Sequence, residues 1–134
     1  MLNDACYAIG HDEVTYADAT AVCESLNSKM FEPASADAHA LVHDWMYGVF
    51  RGDVKYWLGV TRQSNGDFGY ATTGKALAFS DWNSGEPNNS GNNENCVDVN
   101  QDDGSGKWND WGCDNKARFV CQIPTPQFEV KLKV

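Results

Sequence analysis

The chain has 134 residues and is 42% hydrophobic, with a formal net charge of −9 and a sequence pI near 4.5. This length suits one domain with a core of its own, and no apolar run is long enough to span a membrane. The acidic balance argues against nucleic acid as a partner, because a phosphate backbone attracts basic proteins. It fits a secreted, soluble protein that binds cations. The first residues, Met1 to Asp4, do not form a signal peptide, so we expect a mature chain.

Two helices are predicted in the first half of the chain. The first covers Thr15 to Asn27, with Thr15 as the N-cap and Asp18 in the capping-box position. The second covers Ser35 to Phe50, where either Ser35 or Asp37 can serve as the cap. Apolar residues at helical spacing define the expected core-facing sides. These residues are Ala19, Val22, Cys23 and Leu26 in the first helix, and Ala38, Leu41, Val42, Trp45, Met46 and Val49 in the second.

The second half predicts short strands around a long loop. Tyr56–Val60 is a continuous apolar run typical of a buried strand, and residues 97–99 and 118–121 predict two further strands. Residues 61–95 are rich in Gly, Asn, Ser and Asp with little periodicity, and long loops of this kind are usually functional. The tail, residues 128–134, alternates apolar and charged side chains and predicts an added strand.

Five cysteines permit two disulfides with one thiol left over, or metal ligation. No CxxC pair occurs, and the three histidines lack zinc-finger spacing. We therefore expect disulfides and an extracellular, oxidising compartment. His39 and His43 lie four residues apart, but a zinc-protease helix needs Glu at the position that Ala40 occupies. A structural or surface role is therefore predicted for both histidines.

Oxygen-bearing side chains cluster in two polar segments, one before Cys96 and the other before Cys113. Carboxylate and amide oxygens are the ligands that Ca²⁺ prefers, and the ion takes about 6–8 of them. Three carboxylates give the empty cluster a charge of about −3, and five side chains leave some of the coordination places open to oxygens from outside. On composition alone, a solvated Asn- and Gly-rich loop remains an equal alternative. The five candidate metal ligands are Glu86, Asn88, Glu94, Asn109 and Asp110.

The order of these motifs resembles the C-type lectin-like domain from about Cys6 to Ile123. Trp57-Leu58-Gly59-Val60 is similar to the WIGL core motif of that family. Glu86-Pro87-Asn88 and Trp108-Asn109-Asp110 match its EPN and WND motifs without change. The resemblance implies an α+β fold, with two helices packed on small antiparallel sheets and a long loop that carries the site.

The resemblance also implies the disulfides and the domain limits. It pairs Cys23 with Cys121 and Cys96 with Cys113, which leaves Cys6 unpaired. We expect a carbohydrate-recognition domain over residues 1–123, followed by a C-terminal extension over residues 124–134.

By the same resemblance, the expected function is calcium-dependent sugar binding, with all five metal ligands also contacting the sugar. The EPN motif implies a cis Glu86–Pro87 bond and a preference for the equatorial 3- and 4-hydroxyls of mannose-type sugars, whereas galactose binders usually carry QPD. A relative that binds protein or ice is the first alternative. A glycosidase with paired carboxylates is the second, but carboxylates committed to a metal are poor general acids, so we do not expect an enzyme.

Other family positions differ from the usual pattern. The positions of an auxiliary calcium site lack negative charge, so we expect that site to be absent or weak; they are Arg62, Asn65, Asn89 and Asn95. Trp82 and Trp108 are predicted core residues, whereas Trp111 either joins the core or stacks on a sugar. Cys6 and the alternating tail predict self-association, most simply as a homodimer.

Overall fold

The computed structural model describes residues 5–51, 54–100 and 105–124. In the described ranges it contains two α-helices, seven β-strands and one short 3₁₀ turn. The helices are α1 (Tyr16–Ser25) and α2 (Ala36–Phe50), and the 3₁₀ turn is Ser90–Asn92. The strands are β1 (Ala5–Val14), β2 (Lys29–Met30), β3 (Tyr56–Arg62), β4 (Phe68–Tyr70), β5 (Cys96–Val99), β6 (Trp108–Trp111) and β7 (Ala117–Pro124).

The strands form a single connected sheet in the order β1-β7-β3-β5-β6, while β2 also pairs with β7 and β4 with β3. The predicted α+β class is confirmed, but the sheet is mixed rather than purely antiparallel. Strands β3 and β7 run parallel, with Tyr56 opposite Arg118. Parallel neighbours need a long connection, and here the chain passes through β4, β5 and β6 before it returns as β7.

Both helices begin where the sequence predicts. The side chain of Thr15 accepts a hydrogen bond from the backbone N of Asp18 at 3.3 Å. Ser35, rather than Asp37, caps α2 and accepts from the backbone N of Ala38 at 3.1 Å. These bonds satisfy backbone donors that have no partner within the helix.

The predicted core-facing sides of the helices are partly wrong. In α1 only Ala19 and Cys23 are buried, and in α2 the buried residues include two imidazoles that periodicity assigned to no apolar face. The imidazoles can be buried because polar groups of other segments contact their ring nitrogens, as described below. Buried in α2 are His39, Val42, His43 and Met46; exposed instead are Val22, Leu26, Leu41, Trp45 and Val49.

The core has two adjoining parts. One lies between α2 and the sheet and includes Met46, Leu58 and Trp108, with Trp82 packed against it. The other lies beside α1 around Trp57 and the Cys23–Cys121 disulfide. Trp82 and Trp108 therefore belong to the core, as predicted.

The disulfide pairs Cys23–Cys121 and Cys96–Cys113 are both confirmed, and Cys6 is a free, exposed thiol. The long loop is less irregular than predicted, because it contains β4 and the 3₁₀ turn. The tail predicted as a strand, residues 128–134, lies outside the described residues. No helix in the described ranges has the length and hydropathy needed to cross a membrane.

Candidate functional site

The site is built where the end of the long loop meets β6. The backbone N of Trp108 donates to the carbonyl of Asp81 at 2.8 Å, and the N of Asn83 donates back to the Trp108 carbonyl at 2.9 Å. The N of Glu86 then donates to the carbonyl of Asn83 at 2.9 Å. These backbone bonds fix Glu86, on the loop, relative to the residues that follow Trp108 in β6.

Asp110 joins the loop to β6 through its side chain. Its carboxylate is fully buried; Oδ1 accepts from the backbone N of Asn88 at 3.0 Å, and Oδ2 accepts from the N of Asn89 at 2.7 Å. Oδ1 keeps a further lone pair for another partner. Asp110 therefore positions the EPN segment while remaining able to bind a cation.

Asn88 and Glu94 converge on one backbone donor. The N of Ser90 lies 3.1 Å from Asn88 Oδ1 and 2.9 Å from Glu94 Oε1, so both oxygens face the same point. Asn88 Nδ2 lies 3.5 Å from Glu86 Oε2, and the Glu86–Pro87 bond is cis, as the resemblance implies. These contacts bring three predicted ligands together beside Asp110.

Asn109, the fifth predicted ligand, is oriented by Asp98, a residue that we did not predict as part of the site. Its Nδ2 donates to Asp98 Oδ1 at 3.1 Å, which leaves the amide oxygen of Asn109 free of this contact. Asp98 faces Asn109 across the β5–β6 pair and is fully buried. A carboxylate between Val97 and Val99, within a buried strand, is the signal that could have revealed it.

The carboxylates of the site repel one another in the absence of a cation. Partial burial, and then the carboxylates of Asp110 and Glu94, raise the pKa of Glu86 to about 7. Glu86 Oε1 is also buried without a hydrogen-bond partner among the described residues. Burial raises the pKa of Asp98 to about 7, although the hydrogen bond from Asn109 and the charge of Lys55 oppose the shift.

This donor set fits a hard divalent cation only if the amides take part. In the described ranges, no group of three or more His, Cys, Asp or Glu side chains is arranged to hold a metal ion. Amide oxygens from Asn88 and Asn109 would therefore have to complete the ligand set, as they commonly do for Ca²⁺. The unpartnered oxygen of Glu86 and the mutual repulsion of the carboxylates both favour the addition of a cation.

Arg62 is a second residue whose role in the site we did not predict. Its Nη2 lies 3.5 Å from Asp110 Oδ2 and donates to the carbonyl of Glu94 at 3.2 Å. Its Nε donates to Asn95 Oδ1 at 3.2 Å. The guanidinium thus places a fixed positive charge among the positions considered for an auxiliary calcium site.

Trp111 is half-buried beside the site and packs into the second part of the core. Its ring lies 5.5 Å from that of Trp57, and Lys55 Nζ lies 5.0 Å from its ring centroid. These contacts favour the core role over sugar stacking.

The family assignment follows from comparison with known sequences. The family profile described as "Lectin C-type domain" matches residues 12–123, which is most of the chain. The chain belongs to the C-type lectin domain family. It is 30% identical over 126 residues to a C-type lectin from Micrurus corallinus, a match that covers 90% of this chain and 77% of that protein.

Other relatives are longer proteins. The chain is 32% identical over 118 residues to collectin-11 from Bos taurus, covering 87% of this chain and 42% of that protein. It is also 32% identical over 120 residues to E-selectin from Sus scrofa, covering 86% of this chain and 24% of that protein.

Solved structures agree with the fold of this C-type lectin domain. The C-type lectin CEL-I from Cucumaria echinata superposes with a TM-score of 0.81 and 26% identity, covering 94% of each chain. The carbohydrate-recognition domain of cow CD23, solved in the presence of a GlcNAc2Man3 oligosaccharide, superposes with a TM-score of 0.77 and 27% identity, covering 93% of this chain and 92% of that chain.

Proposed function

We propose that this domain is a secreted, non-catalytic lectin that binds mannose-type carbohydrate through a calcium ion. The proposed metal ligands, which also contact the sugar, are Glu86, Asn88, Glu94, Asn109 and Asp110. The main observation in support is the convergence of Asn88 and Glu94 on the Ser90 N–H, beside Glu86 and the buried Asp110. Two disulfides in a chain of this length support an oxidising, extracellular compartment.

The chemistry of the donors supports binding of a sugar diol. Two neighbouring hydroxyls can each give one lone pair to the calcium ion and donate a proton to a carboxylate. Each hydroxyl can also accept a hydrogen bond from an amide NH2, and Glu86 and Asn88 supply this pairing on one side of the site. Calcium supplies the positive charge that holds the hydroxyl oxygens, while the carboxylates and amides select their orientation.

Calcium binding is tested by calorimetry of the wild type and of Glu94→Gln. The substitution preserves the size of the side chain but removes one ligand charge, so we expect at least about tenfold weaker calcium binding. Asp67→Asn is the matched control, because it removes an exposed carboxylate from the same loop and leaves the site unchanged. Equal calcium affinity in Glu94→Gln and the wild type would contradict the ligand assignment.

Sugar preference is tested by retention on mannose and galactose resins, with and without a chelator. The supporting observations are the EPN motif and the likeness to the cow CD23 domain solved with a mannose-containing oligosaccharide. We expect calcium-dependent retention on mannose, and a shift towards galactose in the double variant Glu86→Gln, Asn88→Asp. Tighter retention on galactose by the wild type would refute the mannose assignment, and calcium binding without any sugar retention would favour the protein- or ice-binding alternative.

A further inference from the structure

His39 lies beneath the junction of the long loop and β6. The side chain projects from α2, and the residue is only 4% exposed. Its Nε2 lies 2.7 Å from the carbonyl oxygen of Gly106, and its ring meets the rings of Trp108 and Phe79 at 5.8 Å. The imidazole therefore supports the backbone just before Trp108 and also the indole of Trp108.

The fit around Gly106 is close. Gly106 has a φ of +71°, and a Cβ at this position would lie 3.1 Å from the ring of His43 and 3.3 Å from His39 Nε2. A side chain is thus disfavoured both by backbone conformation and by space. The two imidazoles and this turn form one packed unit.

Two groups contact Nε2 of the neutral ring: the Gly106 carbonyl oxygen at 2.7 Å and Nε1 of the Trp108 indole at 3.3 Å. A carbonyl oxygen can only accept and an indole N–H can only donate, so Nε2 cannot bond to both; we assign its proton to the shorter contact, with Gly106. Nδ1 then holds the lone pair, and it is buried without a hydrogen-bond partner among the described residues. A second proton would create a buried N–H donor with no acceptor provided for it.

The charged and titratable groups facing His39 come from three segments. The carboxylate of Asp81 lies 3.9 Å from Nε2 and is itself paired with Lys107 at 2.6 Å. His43 lies on the same helix, with a ring-centroid distance of 6.2 Å. Burial lowers the pKa of His39 most strongly; the Gly106 bond and Asp81 oppose this effect, while His43 and Lys107 add to it.

The unit connects directly to the proposed calcium site. Trp108, which packs on His39, makes the backbone bonds that join Asp81 and Asn83 to β6, and Asn83 in turn holds the backbone of Glu86. The next two residues of β6 are the proposed ligands Asn109 and Asp110. Displacement of His39 would therefore reach both sides of the site through Trp108.

We propose that His39 is a positioning residue for the calcium site, and that protonation of its buried imidazole loosens the site in mild acid. This inference rests on the proposed function, because it acts on the same calcium ligands. A cavity of about 290 Å³, lined in part by His39, His43 and Asp81, gives the charged ring a route to water. If the ring left its position, the hydrogen bond to the Gly106 carbonyl and the packing against Trp108 would both be lost.

The test compares His39→Gln, His39→Phe and the wild type by calcium calorimetry at about pH 7.5 and about pH 5. The Gln amide can donate to the Gly106 carbonyl but does not titrate, whereas Phe fills the space without a donor. We expect His39→Phe to bind calcium about fivefold or more weakly at both pH values, and His39→Gln to restore binding near neutrality. His11→Gln, which replaces an exposed histidine on β1, is the control and should match the wild type at both pH values.

Acid separates the wild type from His39→Gln. Protons compete with calcium for the ligand carboxylates in both proteins, so this competition cancels in their comparison. We expect the ratio of the wild-type to the His39→Gln calcium dissociation constant to rise about fivefold or more between neutrality and about pH 5. Identical pH profiles for the two proteins would overturn the proposal.

A calcium-free measurement keeps this inference separate from the proposed function. The pKa of His39 in the folded chain lies below its ordinary 6.5. Between these two pKa values the unfolded chain binds more protons than the folded chain, so stability falls as pH decreases below 6.5. With a chelator present to remove calcium, we expect this fall in stability for the wild type but not for His39→Gln. If the wild type binds no calcium at any pH, the proposed function fails; if His39 titrates at 6.5 by NMR without loss of stability, the role of His39 fails.

Discussion

At the scale of single residues, Asp98 shows how a buried carboxylate can serve the site without contacting a ligand from outside. It accepts from Asn109 Nδ2 at 3.1 Å and so determines which face of that amide turns outward. Groups that orient metal ligands commonly contribute about 10–100-fold in metal affinity. We expect Asp98→Ala to lower the calcium affinity by about 10–100-fold. Asp98→Asn retains an acceptor oxygen, so we expect its calcium affinity to stay close to that of the wild type. Equal calcium affinities in calorimetry of the two variants would contradict the orienting role.

Four of the five proposed ligands lie in two short motifs, which is why the sequence suggested them, whereas the supporting residues form no such motif. Glu86 and Asn88 are separated by one residue, so their chemistry is visible in a short segment. Asp98 acquires its role only through the pairing of β5 with β6, and Arg62 reaches Asp110 from β3. No local pattern specifies those pairings, so the sequence alone left both residues outside the predicted site.

At the scale of elements, helix starts were predicted correctly, whereas the buried faces of the helices were predicted only in part. Capping depends on a few adjacent residues, such as Ser35 and Ala38. The buried side of α2 depends instead on its partners: His43 Nδ1 lies 3.1 Å from the Tyr56 hydroxyl, and this makes an imidazole acceptable in the core. Because apolar residues occur nearly all around α2, periodicity could not choose between its faces, and the exposed Trp45 was wrongly placed inside.

The contact between β3 and the end of β2, at Met30 and the adjoining Phe31, depends on Gly59. A Cβ there would lie 2.7 Å from the carbonyl oxygen of Met30 and 3.0 Å from that of Phe31, so backbone would have to move. We expect Gly59→Ala to lower the free energy of unfolding by about 1–3 kcal/mol in urea titration. Gly48→Ala is the matched control in α2, where nothing lies within 4 Å of the added atom, and it should stabilise the chain by about 0.5–1 kcal/mol. Similar effects of both substitutions would contradict the close approach at Gly59.

At the scale of the whole molecule, the two disulfides have different tasks. Cys23–Cys121 spans 98 residues and joins α1 to β7, whereas Cys96–Cys113 spans 17 and joins the two segments that carry the proposed ligands. Chain entropy predicts a loss of about 4–5 kcal/mol on removal of the first and about 3 kcal/mol on removal of the second. Replacing each pair with alanines, we expect the larger fall in stability from the long bridge and the larger fall in calcium affinity from the short one. Thermal unfolding and calorimetry measure the two quantities, and the reverse order would contradict this division.

Cys6 and β1 predict association of two copies of the chain. The thiol is exposed and free within this chain, and β1 lies at one end of the sheet order, next to β7 alone among the described strands. An edge strand offers unpaired backbone groups to a second chain, and a two-fold arrangement would bring the two Cys6 thiols to equivalent places in one interface.

Two linked sites would also gain avidity for a multivalent glycan. We expect a covalent dimer in non-reducing electrophoresis that Cys6→Ser abolishes. Light scattering of a chain ending at Ile123 tests whether the extension, residues 124–134, adds to the contact. A wild-type chain that remains monomeric at tens of micromolar would contradict the predicted dimer, and with it the gain in avidity.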